Sequence, residues 1–246
     1  METVNLLGIK ITSAEMQEIH NEITRLIDKK GQSFILSGNI HGLNMARKYR
    51  WLADFYNRSD LVRVDGAGVI LGAKLLGYRI CGRMTWADWG WHLAEYLAQK
   101  GHSLYLLGGP VGIADRAAER LRNHAPGLKL LGTHHGYFEK NGPENMAVIE
   151  KINHLEPDIL VVGMGMPLQE KWLLEHHNAI RAKVFITAGA AFEYFAGTLR
   201  RCPPWMGNMG LEWLFRLMQN PLRMAKRYLW GNTVFIFKIL KKRLGL

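Results

Sequence analysis

Residues 103–124 read SLYLLGGPVGIADRAAERLRNH, and the two halves of this stretch follow different periodicities. Positions 103–107 are a nearly continuous apolar run that stops at Gly108-Gly109-Pro110, as a buried parallel strand would. Positions 113–124 instead repeat apolar residues every three or four places, the signature of an amphipathic helix. The same unit recurs along the chain. Strands are predicted at 33–37, 61–64, 128–131, 159–162 and 184–187, and helices near 43–57, 69–76, 86–99, 144–154 and 169–179. Positions 6–11 read as one short apolar segment, and Thr12 with Glu15 as a capping box opening a helix that runs to about 30. Strands alternating with helices predict an α/β, Rossmann-like layered fold with a mainly parallel sheet. Ligands of such sheets sit beyond the carboxyl ends of the strands. Here those ends carry Ser37-Gly38-Asn39, Asp65-Gly66, Gly108-Gly109, Gly163-Met164-Gly165 and Ala188-Gly189.

The charge is unevenly spread. From Arg200 onward there are ten Lys or Arg against one acid, Glu212, so this last fifth supplies +9 of the chain's +11. We therefore expect an α/β core over 1–199 and a basic, amphipathic helical appendage over 200–246 that closes the active site and meets a membrane. Arg216, Arg223 and Arg227 stand seven and four apart, which on helices aligns them in one stripe with Lys226 beside it, although Pro221 interrupts continuity. The apolar run 234–237 followed by Lys241-Lys242-Arg243 has the composition of an interfacial anchor on anionic lipid. A helix packed on the body, or a homo-oligomer contact, is the alternative use of that surface. The apolar run near 229–240 contains Asn232 and Lys238 and is shorter than the ~20 residues of a spanning helix. The N-terminus reads as mature sequence, without the basic segment and cleavage site of a signal peptide. Cys81 and Cys202 have no zinc or disulfide spacing, which fits a cytoplasmic setting.

Several chemistries fit poorly. Gly108-Gly109-Pro110-Val111-Gly112 suits phosphate approach, but it is not G-x-G-x-x-G, and the following strand ends in Gly132-Thr133-His134 without the acid a nicotinamide site needs. His134-His135 and His176-His177 are adjacent pairs, which point about 100° apart on a helix and do not chelate as i, i+4 pairs do. They read as solvated or hydrogen-bonded histidines, and no metal or cofactor is expected. A nucleotide-dependent oxidoreductase is a weak alternative. So is a nucleic-acid-binding protein, because the basic charge lies beside contiguous apolar runs rather than on a polar face.

Asp65-Gly66 after a strand, GMGMPLQE at 163–170, AAFEYFAG at 190–197, and Pro204-Trp205 followed by GLEWLFRL at 210–217 together resemble the WecG/TagA/CpsF family of bacterial glycosyltransferases, glycosyltransferase family 26. The resemblance runs from Leu7-Gly8-Ile9 to about Arg227. It implies inverting, metal-independent transfer of an N-acetylmannosamine-type or related sugar. The donor would be a UDP-sugar and the acceptor an undecaprenyl-diphosphate-linked sugar, at the inner face of the bacterial membrane, in cell-surface polysaccharide or teichoic acid synthesis. By position, it implies Asp65 as general base, with Asn39 and Ser37 contacting sugars and Arg83 and Gln169 contacting sugar or phosphate. Gly108, Gly109 and the Gly163 loop would approach the nucleotide, and Tyr137 and Glu193 would hold the uridine. Arg216, Arg223 and Lys226 would close over the diphosphate. The chain departs from the usual pattern with Ser37 for threonine, Trp86 for glycine, Glu193 for aspartate and Lys226 for arginine. Read as residues alone, Asp65-Gly66 also suits a plain turn, Gln169 a helix start, Tyr137 core packing and Arg83 a surface charge, while Asp88 stays open between a second functional carboxylate and a solvated helix acid.

Overall fold

A computed structural model describes residues 1–245. In chain order the elements are β1 (Glu2–Leu6), β2 (Ile9–Ser13), α1 (Met16–Asp28), β3 (Ser33–Gly38), α2 (Ile40–Lys48), α3 (Arg50–Arg58), β4 (Leu61–Val64) and α4 (Ala67–Leu75). There follow α5 (Trp86–Lys100), β5 (Ser103–Gly108), α6 (Ile113–His124), β6 (Lys129–His134), α7 (Pro143–Leu155), β7 (Ile159–Gly163), α8 (Leu168–His176), β8 (Val184–Thr187) and α9 (Ala191–Phe195). The C-terminal segment holds α10 (Pro204–Asn208), α11 (Glu212–Gln219), α12 (Pro221–Ala225), a π-helical turn (Lys226–Trp230) and α13 (Gly231–Arg243). The fold is α/β and Rossmann-like, and within each of its units every strand except β1 pairs in parallel. The chain forms two compact units. One comprises Met1–Glu15, Ser37–Thr85 and the residues from Arg201 onward; the other comprises Met16–Leu36 and Trp86–Arg200.

In the first unit β1 and β2 form an antiparallel hairpin, Glu2 opposite Ser13 through Leu6 opposite Ile9. Its turn residues Leu7 and Gly8 both have positive φ, 55° and 91°, the two-residue geometry that matches strand twist. Leucine is a poor turn signal, so a single apolar segment was the natural reading of 6–11, and Thr12 belongs to a strand rather than to a helix start. The single helix expected over 43–57 is two, broken where Tyr49 leaves helical geometry at φ −117°, ψ 107°. α13 packs on α2 and α4. Phe235 and Ile239, one turn apart, are both fully buried, and Asn44 Nδ2 donates to Gly231 O at 2.8 Å. A Cβ on Gly72 would stand 2.6 Å from the Phe235 ring, so α4 accepts that ring only because it carries glycine there.

The second unit holds five parallel strands in the order β3-β8-β7-β5-β6. From β5 the chain passes to β6 on one side, and from β7 it passes to β8 on the other. The order therefore reverses between β5 and β7, where Gly108 pairs with Gly163. Such a switch point opens a crevice beyond the strand ends.

Truncating a fully buried phenylalanine leaves a cavity as well as losing apolar contact, and we expect Phe235→Ala to cost about 3–5 kcal/mol in urea unfolding. A loss below about 1 kcal/mol would mean that α13 does not form part of this core.

Candidate active site

The first unit contains a cavity of about 770 Å³ lined by Asn39, His41, Asp65, Arg83, Arg216 and Arg227 on its polar side, and by residues such as Val69, Ile70, Trp213 and Ile236 on its apolar side. Asp65 sits just past the end of β4, its backbone N–H donating to Gly38 O at 2.9 Å. Gly66 follows at φ 108°, a geometry closed to side-chain-bearing residues, and turns the chain directly into α4. Asn39 caps α2: its Oδ1 accepts from Gly42 N at 2.9 Å, which aims its amide Nδ2 at Asp65 Oδ2, 3.3 Å away. A helix cap thus orients a carboxylate. Oδ1 of Asp65 has no hydrogen-bond partner among the described residues.

Beneath Asp65 lies Arg63, fully buried in β4. Its guanidinium donates to Ser37 Oγ at 2.6 Å and to Met84 O, and Tyr56 Oη donates to Ser37 O at 2.9 Å. Burial pulls Arg63 down to about 10, while the charges of Asp65 and Tyr56 oppose that fall. Ser37 is buried, and its hydroxyl faces this arginine. An arginine inside the apolar strand Leu61–Val64 is the one signal of this buried charge that the sequence carries.

The C-terminal segment, part of the first unit, lines the cavity through α11. Glu212 Oε1 lies 2.7 Å from Arg201 Nη1, and its Oε2 lies 3.6 Å from Arg83 Nη1, with all three side chains largely shielded from solvent. One turn further along α11, Arg216 lines the cavity, and Arg227 joins it from the π-helical turn, 5.5 Å over the Tyr228 ring. Arg223 and Lys226 are exposed and lie outside the cavity lining. The stripe expected of Arg216, Arg223 and Arg227, with Lys226 beside it, is broken because Asn220 ends α11 and caps α12, and the π-helical turn then shifts the phase.

In the second unit the glycine loops gather at the switch point. A Cβ on Gly108 would lie 2.2 Å from Gly163 O, and one on Gly163 would lie 2.9 Å from Gly189 O, so the ends of β5, β7 and β8 touch backbone to backbone. Gly109 N donates to Gly163 O at 2.9 Å, and Gly136 N donates to Gly109 O at 2.8 Å. Tyr137 follows Gly136 and is 71% exposed, a surface aromatic rather than a core one. Glu193 is half-buried on α9. Gln169 is fully buried. Its Oε1 accepts from Gly189 N at 2.9 Å and its Nε2 donates to Glu170 Oε1 at 2.7 Å, so it ties the loop after β8 to the start of α8. The histidine pairs are hydrogen-bonded to their own unit, His134 to His135 O, His176 to Lys140 O and His177 to Gln32 Oε1. Asp88 is exposed in the first turn of α5.

The profile of the glycosyl transferase WecG/TagA/CpsF family matches residues 4–246. The chain belongs to this family. It is a glycosyltransferase, and the oxidoreductase and nucleic-acid readings fall away. It is 26% identical to the N-acetylglucosaminyldiphosphoundecaprenol N-acetyl-beta-D-mannosaminyltransferase of Staphylococcus aureus strain MRSA252, over 98% of this chain and 93% of that protein. The protein of the same description from strain MW2 is 25% identical with the same coverage. Among solved structures, a nicotinate phosphoribosyltransferase from Vibrio cholerae aligns with 78% of this chain and 48% of its own at 15% identity and a TM-score of 0.23, too slight a likeness to bear on the glycosyltransferase.

Three residues of this glycosyltransferase escaped the sequence reading: Arg63, His41 and Glu170. Burial pulls His41 down to about 4, with the charge of Arg227 acting in the same direction. Glu170 is fully buried, its Oε2 has no hydrogen-bond partner, and burial pushes its carboxyl up to about 7 against the opposing bond from Gln169. The unfolded chain releases this proton first, near the ordinary glutamate value. The contribution to stability is therefore full below about pH 4.5 and is lost as pH rises through 7. Between pH 5 and pH 8 the wild type should lose about 2–3 kcal/mol that Glu170→Gln retains. Parallel pH dependences of urea unfolding for the two proteins would contradict this account of Glu170.

Proposed function

We propose that this glycosyltransferase moves an N-acetylmannosamine-type sugar from a UDP donor to a sugar carried on undecaprenyl diphosphate, with inversion and without a metal ion. Asp65 acts as the general base. The observation that carries this reading is the Asp65 carboxylate held by the Asn39 amide in a cavity that also contains Arg83, Arg216 and Arg227. An acceptor hydroxyl needs a base within hydrogen-bond reach, and Oδ1 of Asp65 is open to receive its proton. The acceptor's diphosphate is a dianion, and planar guanidinium groups bind such oxygens in pairs. The Staphylococcus aureus relatives, matched over nearly their whole length, are named for that class of acceptor and that sugar.

The remaining residues follow from the same reaction. Ser37 acts indirectly, by accepting from the buried Arg63 that packs between the loops bearing Asn39 and Asp65. In the second unit Gly108, Gly109 and Gly163 keep the switch-point crevice free of side chains for the nucleotide. There Tyr137 stacks on the uracil, Glu193 accepts from the ribose, and Gln169 acts by fixing the Gly189 loop. Arginines and helix ends offset the charge growing on the departing UDP.

The appendage from 200 onward closes the acceptor cavity with Arg216 and Arg227. Its exposed cations, Arg223, Lys226 and Lys241 to Arg243, meet anionic lipid at the inner membrane face beside the exposed Leu222, Trp230 and Phe237. Among the described residues no helix is long and apolar enough to cross a membrane.

With UDP-N-acetylmannosamine and a diphosphate-linked N-acetylglucosamine acceptor in EDTA, the wild type should form a disaccharide product identifiable by mass spectrometry. Asp65→Asn should lower kcat by about 10²–10⁴-fold with its unfolding midpoint nearly unchanged. Turnover of the variant within a factor of three of wild type would remove Asp65 from the role of base.

A further inference from the structure

His41 has no place in the reaction as described, yet it lines the cavity two residues beyond Asn39, in the first turn of α2. Its side chain makes no hydrogen bond among the described residues. An imidazole in that position has two nitrogens to offer a ligand. The charged groups that line the cavity with it are Lys74, Arg83, Arg216 and Arg227 on the cationic side and Asp65 and Glu212 on the anionic side; Tyr228 completes the titratable set. Glu212 is engaged by Arg83 and Arg201, so the field at His41 is positive. A positive field and burial together hold the empty-site imidazole neutral, as its fall to about 4 reflects.

We propose that His41 is a ligand of the acceptor's diphosphate alongside Arg227, and that it takes up a proton when the diphosphate binds. This rests on the assignment of a diphosphate-linked acceptor to the cavity. The two negative charges of a bound diphosphate diester act against both burial and the field of Arg227, and so raise the titration of the imidazole back through neutrality. The imidazole is then cationic at neutral pH only while the site is filled. A neutral histidine adds no repulsion among the arginines of the empty cavity and becomes a charged donor in the complex, where such bonds are about twice as strong.

Titration calorimetry of citronellyl-diphospho-N-acetylglucosamine tests this, because a doubly esterified diphosphate has no group of its own that titrates near neutrality. Binding measured at pH 7 in two buffers of different ionisation enthalpy counts the protons taken up. Wild type and Asp65→Asn should both take up close to one proton. His41→Gln should take up nearly none, and should bind about tenfold more weakly than wild type at pH 6.5 but only two- to threefold more weakly at pH 8.5. His41→Leu, which also cannot titrate, is the second variant should the amide disturb folding, which circular dichroism checks. Equal proton uptake by wild type and the His41 variants overturns the inference alone. A wild-type protein that binds no diphosphate diester overturns it together with the acceptor assignment.

Discussion

The carboxylate of Glu212 held between Arg83 and Arg201 is the contact on which the candidate site depends. It is the only acid of the C-terminal fifth of the chain, and without it that segment would be a run of mutually repelling cations. With it, α11 has a fixed rotation. Residues at i and i+4 share a helix face, so anchoring Glu212 necessarily turns Arg216 toward the same cavity. The pair to Arg201 is close and shielded, which makes removal of the acid alone costly, because two guanidiniums would be left near each other in a poorly solvated place.

Asp65 depends on a comparable economy of groups. A buried guanidinium is expensive, and Arg63 offsets part of that cost with a hydroxyl, a carbonyl and the field of Asp65. These partners come from β3, from the residue that follows β4 and from the segment ending at Met84. Arg63 therefore fixes the separation of the loops that bear Asn39 and Asp65. Asp65 and the Asn39 amide that orients it are thus held from below by packing as well as by their own 3.3 Å contact.

Much of this is legible in the sequence. Continuous apolar runs ending in glycine marked β3, β4, β5, β7 and β8 within a residue or two, because buried parallel strands leave that pattern and little else does. Of the loops at the strand ends, Asn39, Asp65 and Gly66 line the cavity of the first unit, and Gly108, Gly163 and Gly189 meet at the switch point of the second. What stayed hidden was hidden for physical reasons. The β1–β2 turn uses leucine at positive φ, where the local code offers no warning. The break at Tyr49 has no proline or glycine to announce it. Gln169 looked like a polar helix opener, and its burial depends on Gly189, twenty residues away, which no local pattern reports. His41 lacks any motif, and only the convergence of α2 with the π-helical turn brings it near Arg227.

The appendage illustrates how far composition can go. Apolar residues beside lysines suggested a surface wedge, yet α13 has two apolar faces with different duties. Phe235 and Ile239 point into the first unit and are wholly buried, while Phe237, Leu240 and Leu244 are exposed, and Lys242 reaches Asn5 on the β1 strand. A helix of 13 residues is about 20 Å long and has only one face left to offer. It can lie along a bilayer and cannot insert end-on without pulling Phe235 out of the core. Any lipid contact by this helix must therefore be made by a segment already docked on α2 and α4. A seat on the membrane would then hold the whole first unit, with its cavity, at a fixed height above the surface.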